Sequence, residues 1–521
     1  MGRVDRLGHH VTSPQPGGVL AGPLSAVLEG CGMVSKQPGG GRRHDRGPLC
    51  TRVPSTGAAG PATRLRLACV ATRPRRWGPR PAHAGLTPVS GAGALGLATA
   101  GGLVGGSWAM VVHWDRRHRI QQLLERVIVG ALFVYVVCSV ISISAMQTAY
   151  ILALVAWALR LSLQGDTRQL CLPLLMPVSA FVLASILATI LAVEPLASLL
   201  ELRNVFEALV FYLIVNQVTT EARATTLVRV LMVTTTIMAL YGLCQSFTYG
   251  VNFRVRGTMD SKMTFAGLLM LVDLMTLAHV LFRTHCRQLM WTIPALLLIT
   301  AALLMTQTRS AWCGLMAGGC VLCGLRKKVL LLALPLGALV VFLLVPQPIK
   351  SRALSIADRR DITAQERLSM WASGVRMIRD HPWTGVGMGA MERIYPQYRE
   401  PDSLVDPTRR IGHLHNNIIQ LAAERGLLGL ACWLWLWGAY GAYTWRMYAH
   451  VGPEDRRAKA LVLGSLASVI GFHIEGLFEH TFGDSEVITL TYFLMALPFV
   501  VQRVGLSRQA LDSRSYWIPG S

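Results

Sequence analysis

Residues 326–346 read "RKKVLLLALPLGALVVFLLVP". Three cations are followed by eighteen residues without a charge. A membrane-spanning helix needs about 20 predominantly apolar residues, and runs of this kind recur from residue 123 to residue 503. They decide the class of the protein. Of 521 residues, 52% are hydrophobic and 15% charged, with a mean hydropathy of +0.43. A soluble domain carries roughly 25% charged residues. Lipid offers no hydrogen bonds, so each spanning segment must satisfy its own backbone, and these runs are too long for barrel strands. The composition implies an all-α polytopic membrane protein.

Twelve apolar segments are expected, at 123–141, 144–160, 172–192, 202–219, 225–247, 263–282, 289–306, 310–325, 329–346, 427–447, 459–476 and 486–503. The charges between them orient the chain. Arg116, Arg117 and Arg119 precede the first segment, Arg160 and Arg168 follow the second, and Arg223 and Arg229 mark the start of the fifth. Arg283 and Arg287 precede the seventh, Arg326, Lys327 and Lys328 the ninth, and Arg446, Arg456, Arg457 and Lys459 the eleventh. Arg503 and Arg508 close the series. Every even connection is short and basic. The positive-inside rule then puts both termini in the cytoplasm and the long loop after the ninth helix outside. The net charge of +22 therefore does not speak for nucleic acid, since about half sits in residues 1–109 and much of the rest orients helices. The eleven cysteines are scattered, and Cys320-x-x-Cys323 has no second ligand pair, so it reads as packing rather than zinc.

The expected organisation is an extension over 1–109, nine helices over 120–346, a soluble loop over 347–426, three helices over 427–505 and a tail over 506–521. Residues 1–109 are rich in Gly, Pro, Arg and Ser and have no hydrophobic period, so no regular structure is expected there. Residues 91–112 are uncharged and long enough to span, but their seven glycines disfavour a helix. The change of composition at Met110 points to a start of translation there.

Several arginines break the charge rule by falling on the outer side: Arg203, Arg254, Arg256, Arg309 and Arg367. A charge held near the membrane has a reason, and arginine's planar fork matches phosphate with two parallel hydrogen bonds. A shared anion, such as a diphosphate at the membrane surface, accounts for all five together. The chain has no D-x-D, which argues for arginines in place of a carboxylate-held metal.

The outer loop contains "QERLSMWASGVRMIRDHP", a helix with Leu368, Trp371, Val375 and Ile378 on one face and Pro382 as its stop. "TGVGMGA" has no preceding strand, so it reads as a tight turn near the membrane rather than a phosphate loop. Tyr395 and Tyr398 either stack on sugar rings or sit at the interface. "GHLHNNIIQLAAERGLLGL" at 412–430 places His413 and His415 just before a helix capped by Asn417, with Gln420 in the capping-box position and Gly426 as a break. A helix N-terminus favours an anion. An imidazole can accept a proton at neutral pH, which makes His415 a candidate base. No third ligand accompanies the two histidines in sequence, so a metal is not expected.

"HNNIIQLAAERGLLGL" and "RLSMWASGVRMIRDHPWTGVGMG" together resemble the O-antigen ligases and their relatives, the O-antigen polymerases and O-linked oligosaccharyltransferases. "RGTMDSKMTFAGLL", "TQTRSAW" and "GLFEHTFGDSEV" are weaker matches, and the resemblance covers roughly residues 120–505. It implies a GT-C-like fold of about twelve transmembrane helices with one large periplasmic loop, in the bacterial inner membrane with its active site facing the periplasm. The activity it implies is transfer of a polysaccharide from undecaprenyl diphosphate to lipid A–core, with membrane lipid around it, no cofactor and no nucleic acid. Carried over, the catalytic histidine is His415. Arg309 and Arg367 hold the diphosphate, with Arg256 and Arg203 as further candidates, and His413, Asn416 and Asp484 support them. A polymerase or protein-modifying relative is the alternative inside the family. A transporter is the alternative outside it.

Overall fold

The computed structural model describes the backbone of residues 101–515, except 166–169, 283–285, 357, 359, 402 and 407. Residues 1–100 and 516–521 lie outside the described residues, and with them most of the expected extension. Among the described residues there is no strand. Helices α1 (Gly101–Cys138), α2 (Ile143–Gln164) and α3 (Leu175–Ile190) lead into a short α4 (Pro195–Glu201), a 3-10 turn over Leu202–Ala208 and α5 (Leu209–Gln217). Then come α6 (Glu221–Tyr249), α7 (Lys262–Phe282), α8 (Cys286–Met305), α9 (Arg309–Arg326) and α10 (Leu330–Leu344). The soluble loop holds α11 (Gln347–Leu354), α12 (Ile362–Asp380) and α13 (Met391–Tyr398). The chain ends in α14 (Asn417–His450), α15 (Arg456–Glu475) and α16 (Ser485–Ser515). The backbone of 101–109 thus belongs to α1, where the sequence predicts no regular structure. Of the seven glycines of 91–112, the four that lie among the described residues, Gly101, Gly102, Gly105 and Gly106, do not stop a helix that propagates back from the first apolar run.

Eight of these helices are long and apolar enough to cross a membrane: α1 from Arg117, α2, α6, α7, α8 from Arg287, α14, α15, and α16 to Gly505. The expected fourth segment is broken into the 3-10 turn and the nine-residue α5. Helix α3 is apolar but has only 16 residues. Within the apolar run at 329–346, α10 is 15 residues long, or about 22 Å at 1.5 Å per residue. It has no buried residue and leaves Leu332, Leu336 and Leu344 exposed along α9. Its hydrophobicity serves solvation by lipid, not packing.

Packing instead centres on α7, α9 and α15. Helix α7 is the most enclosed of the eight. Gly314 and Gly318 on α9 and Gly471 on α15 sit where a Cβ would meet Met270, Leu274 or facing backbone carbonyls. Small residues allow this close approach, which drives helix association where water supplies no hydrophobic force. The N-terminal ends of α7, α9 and α14 and the C-terminal end of α15 come together at one end of the bundle, beneath the loop.

The loop has a core of its own, built from Met370, Met377, Val386, Met391, Ile394, Tyr395, Ile411 and Leu414. Tyr395 is buried in it, so packing rather than sugar stacking accounts for this side chain. The buried face of α12 is Met370, Ser373, Gly374 and Met377. The expected face is one residue out of register, for Leu368 and Val375 are exposed. A helix clamped between the membrane bundle and its own loop hides its small and flexible side chains, which hydropathy alone does not rank first.

Gly426 does break α14, with φ 66° and ψ −177° inside the helix. The break frees the carbonyls of Ala423 and Glu424, and the "TGVGMG" segment takes them up. Val386 N–H donates to Ala423 O at 2.8 Å and Gly387 N–H to Glu424 O at 3.0 Å, while Leu427 N–H donates to Pro382 O at 2.7 Å. The glycines of this segment serve backbone docking onto the kink. A Cβ at Gly426 would overlap the Trp383 carbonyl in a left-handed conformation. Gly426→Ala is expected to cost at least about 1–3 kcal/mol, read as a fall in melting temperature of the purified protein. An unchanged melting temperature would show that the loop does not depend on this docking.

Candidate active site

The histidine segment is positioned by the two asparagines that follow it. The cap of α14 is Asn416, one residue earlier than the sequence predicts: its Oδ1 accepts from the N–H groups of Ile418 and Ile419 at 2.9 and 3.0 Å. Its Nδ2 donates to Leu477 O at 2.8 Å. Asn417 carries the contact onward, accepting from Phe482 N–H at 3.0 Å and donating to Thr481 Oγ1 at 3.1 Å. Gln420 reaches back to Leu414 N–H at 2.8 Å rather than completing a box with the cap. These bonds pin the α15–α16 connection, residues 476–484, against the start of α14.

That connection delivers Glu479. Its Oε1 lies 2.7 Å from His415 Nδ1 and 3.5 Å from His413 Nε2, and its Oε2 accepts from Arg367 at 3.1 Å. Burial alone would raise the Glu479 carboxyl, but hydrogen bonds to His413 and His415 and the charges of His415 and Arg367 outweigh it. They hold the group below the ordinary carboxylate range. The ring of His415 is mostly enclosed and its backbone is left-handed at φ 52°. For a residue with a Cβ that conformation is uncommon, and it clusters at functional sites. Gln307 adopts the same conformation at φ 53° and borders the same cavity.

This cavity encloses about 210 Å³ and is lined by His415 with six cationic side chains: Arg254, Lys262, Arg309, Arg352, Arg367 and Arg409. Among the described residues, Glu366 is the lining carboxylate. Arg309, the first residue of α9, donates to Ser355 O and Oγ at 2.9 and 2.8 Å and to Asp361 Oδ1 at 3.1 Å. Arg254 donates to the carbonyls of Thr306 and Gln307, each at 3.0 Å. Burial first, then the charges of Arg352, Arg309 and Arg367, push Arg254 down to about 10. Burial lowers Arg352 and Arg367 as well. All remain cationic at neutral pH. So much mutual repulsion calls for an anion.

The structure therefore brings Arg309, Arg367 and His415 to one place, together with Arg254. Arg256 is exposed and Arg203 lies on the exposed side of the 3-10 turn, and neither lines this cavity. Asp484 accepts from Thr264 Oγ1 at 2.5 Å and so ties α7 to α16, away from the histidines. Sequence reasoning missed Lys262, Arg352, Arg409 and Glu479. Glu479 stands 64 residues beyond His415, and only the quoted "GLFEHTFGDSEV" marked its neighbourhood.

A second cavity of about 340 Å³ lies on the far side of His413. It is lined by Glu201, Glu207, Glu392 and Glu424, by Phe181, Phe482 and Tyr492, and by the half-exposed His413. Arg425 pairs with Glu424 at 3.3 Å and lies over the rings of Phe181 and Phe482 at 5.6 and 6.0 Å. His480 borders the same space; burial, then the charges of His413 and Arg425, push it down to about 3, so it stays neutral.

His413, His415 and Glu479 also place one ligand atom each within 4.8 Å of one another, a grouping that could hold a metal ion. The third ligand absent from the local sequence is thus supplied by the fold. The surroundings oppose a metal, because Arg367 already occupies the carboxylate and the adjoining cavity is strongly cationic.

Comparison with known proteins bears on this segment directly. Residues 294–434 match the O-antigen ligase family. They hold Arg309, Arg352, Arg367, Arg409, His413, His415 and Asn416, but neither Arg254 nor Glu479. An O-antigen ligase of Pseudomonas aeruginosa strain PAO1 is 30% identical over 181 residues, 34% of this chain and 38% of that protein. The chain thus spans little more than a third of the length of this curated relative. The segment that carries the histidines and most of the arginines of the site, inside a polytopic helical bundle, is thus the part of this chain that is similar to the O-antigen ligases.

Proposed function

We propose that the protein transfers a glycan from undecaprenyl diphosphate to lipid A–core, by direct, inverting, metal-independent displacement. The observation that carries this reading is the pairing of a carboxylate-held His415 with a cavity of six cations. Glu479 receives Nδ1 of His415, which leaves Nε2 as the base. An acceptor sugar hydroxyl gives its proton to Nε2 while its oxygen forms a bond to the anomeric carbon of the donor. The bond from that carbon to the diphosphate oxygen breaks, and the diphosphate leaves with the electron pair. Arg254, Arg309, Arg352, Arg367 and Lys262 stabilise the charge that collects on it. The donor is already an activated diphosphate ester, so no nucleotide is consumed. The acidic, aromatic cavity beyond His413 suits the acceptor: carboxylates accept from sugar hydroxyls, rings stack on sugar faces, and both disfavour a diphosphate. The two histidines stand at the boundary.

The charge pattern of the connections supports twelve crossings with this end of the bundle facing the periplasm of a bacterial inner membrane. The acceptor separates the ligase reading from its relatives. Another polyprenyl-linked repeat would make the protein a polymerase, and a protein hydroxyl would make it an oligosaccharyltransferase. In vitro transfer with purified protein, undecaprenyl-diphosphate glycan and each acceptor in turn is expected to succeed with lipid A–core. Chelation should leave the rate unchanged, and a loss that added metal restores would assign His413, His415 and Glu479 as ligands instead.

His415→Ala is expected to abolish capped lipopolysaccharide while the protein remains in the membrane. Capping at the normal level would remove His415 from the chemistry. Glu479→Gln is expected to lower transfer by about 10²–10⁴-fold, by analogy with loss of the carboxylate behind a catalytic histidine. Glu479→Asp keeps the carboxylate and should retain more of the rate than Glu479→Gln, and equal losses in the two variants would mean that Glu479 only packs. Arg367→Lys keeps the charge but loses the fork that spans Glu479 and the cavity. Transfer should fall at least about tenfold, and a normal rate would reduce Arg367 to a point charge.

A further inference from the structure

Helix α9 opens on the cationic cavity, where Gln307, Thr308, Arg309 and Ser310 all line the wall. The first N–H groups of a helix have no partner within it and point out of its N-terminal end. A polar side chain at the cap ordinarily accepts from one of them. Thr308 stands at the cap of α9 and makes no such bond. Its hydroxyl instead donates to Thr306 O and accepts from Arg254, each at 3.4 Å. The first N–H of the helix to find a carbonyl is that of Trp312, which donates to Thr308 O at 3.3 Å. The N–H groups of Arg309, Ser310 and Ala311 therefore have no partner among the described residues. This turn is buried, and a buried N–H left unpaired costs about as much as a lost hydrogen bond.

A side chain makes the same demand. Ser310 is only 4% exposed and borders the cavity, and its hydroxyl has no hydrogen-bond partner among the described residues. A hydroxyl so placed can donate to an anion. These donors differ in kind from the cations around them. Arg309, Arg352, Arg367 and Arg409 already hold carboxylates through their side chains, whereas the Ser310 hydroxyl and the N–H groups of the first turn hold nothing.

We infer, resting on the diphosphate reading of this cavity, that the first turn of α9 and the Ser310 hydroxyl hydrogen-bond a phosphate oxygen of the leaving diphosphate. The end of a helix carries partial positive charge and has no counter-ion to give up, so its attraction grows as the leaving group gains charge. The test uses the full-length protein in neutral detergent, with inorganic pyrophosphate as the probe. Pyrophosphate is expected to raise the melting temperature of the wild type and to slow hydrogen–deuterium exchange of the amides at 309–311. Ser310→Ala should weaken pyrophosphate binding about tenfold, the loss of one donor to a charged group, with the melting temperature of the ligand-free protein unchanged. In transfer assays the same variant should lower kcat/KM for the undecaprenyl-diphosphate glycan and leave KM for the acceptor as it was. A wild type that pyrophosphate neither stabilises nor protects would overturn the diphosphate reading and this inference together. Stabilisation of the wild type without protection at 309–311, or equal binding by Ser310→Ala, would overturn this inference alone and leave the arginine-held diphosphate standing.

Discussion

The outer end of this protein depends on one buried carboxylate. A charge taken out of water costs several kcal/mol unless it is paired and hydrogen-bonded. Glu479 is satisfied by His415 and His413 on one oxygen and by Arg367 on the other. Those partners come from the segment before α14 and from α12, while Glu479 itself sits in the connection between α15 and α16. The carboxylate therefore joins three parts of the chain that share no sequence proximity. Asn416 and Asn417 make the junction rigid by bonding the same connection through backbone and side chain. With the connection held, His415 is committed to one ring orientation and to a left-handed backbone that isolated residues avoid.

Around that junction the charges are sorted by sign. Cations collect on the His415 side, where α7, α9, α11 and α12 begin or end, and carboxylates collect on the His413 side, around α3, α4 and α14. Asp361, Glu366 and Glu479 pair with Arg309, Arg352, Arg367 and Arg409, but the six cations outnumber these three carboxylates, so positive charge remains in excess for a ligand. Sorted, each side keeps an unmet demand, one for an anion and one for hydroxyl donors. The histidine pair is where those demands meet, and this is the geometry that a transfer between a charged donor and a neutral acceptor needs.

Some of this was legible in the residues. Arg309 and Arg367 stood out because they violate the charge rule for connections, and His415 because it opens a helix at the membrane surface. Arg203 and Arg256 violated the same rule and yet lie outside the cavity, since the rule registers which side a charge is on and not which way its helix end turns. Arg352 and Arg409 carried no signal, because cations in a soluble loop are ordinary. Asn416 and Asn417 were interchangeable as caps by type, and only the position of residues 477–482 decides between them. The face of α12 slipped by one residue for a similar reason: Gly374 and Ser373 are buried because Leu414 and Ile419 press on that side, not because they are apolar.

The sequence by itself determined that this chain lives in a membrane, that it is helical, and which end of its helices carries unexpected positive charge. Those properties follow from composition and from the one-dimensional alternation of apolar runs with charges, which lipid reads directly. Tertiary structure decided which of those charges act together. It selected Arg254 over Arg256, made Glu479 the partner of His415, and buried Tyr395 in the loop. The first two choices rest on helix ends brought close by the glycine-mediated packing of α7, α9 and α15, and the third on the loop's own core, proximities that no spacing along the chain encodes.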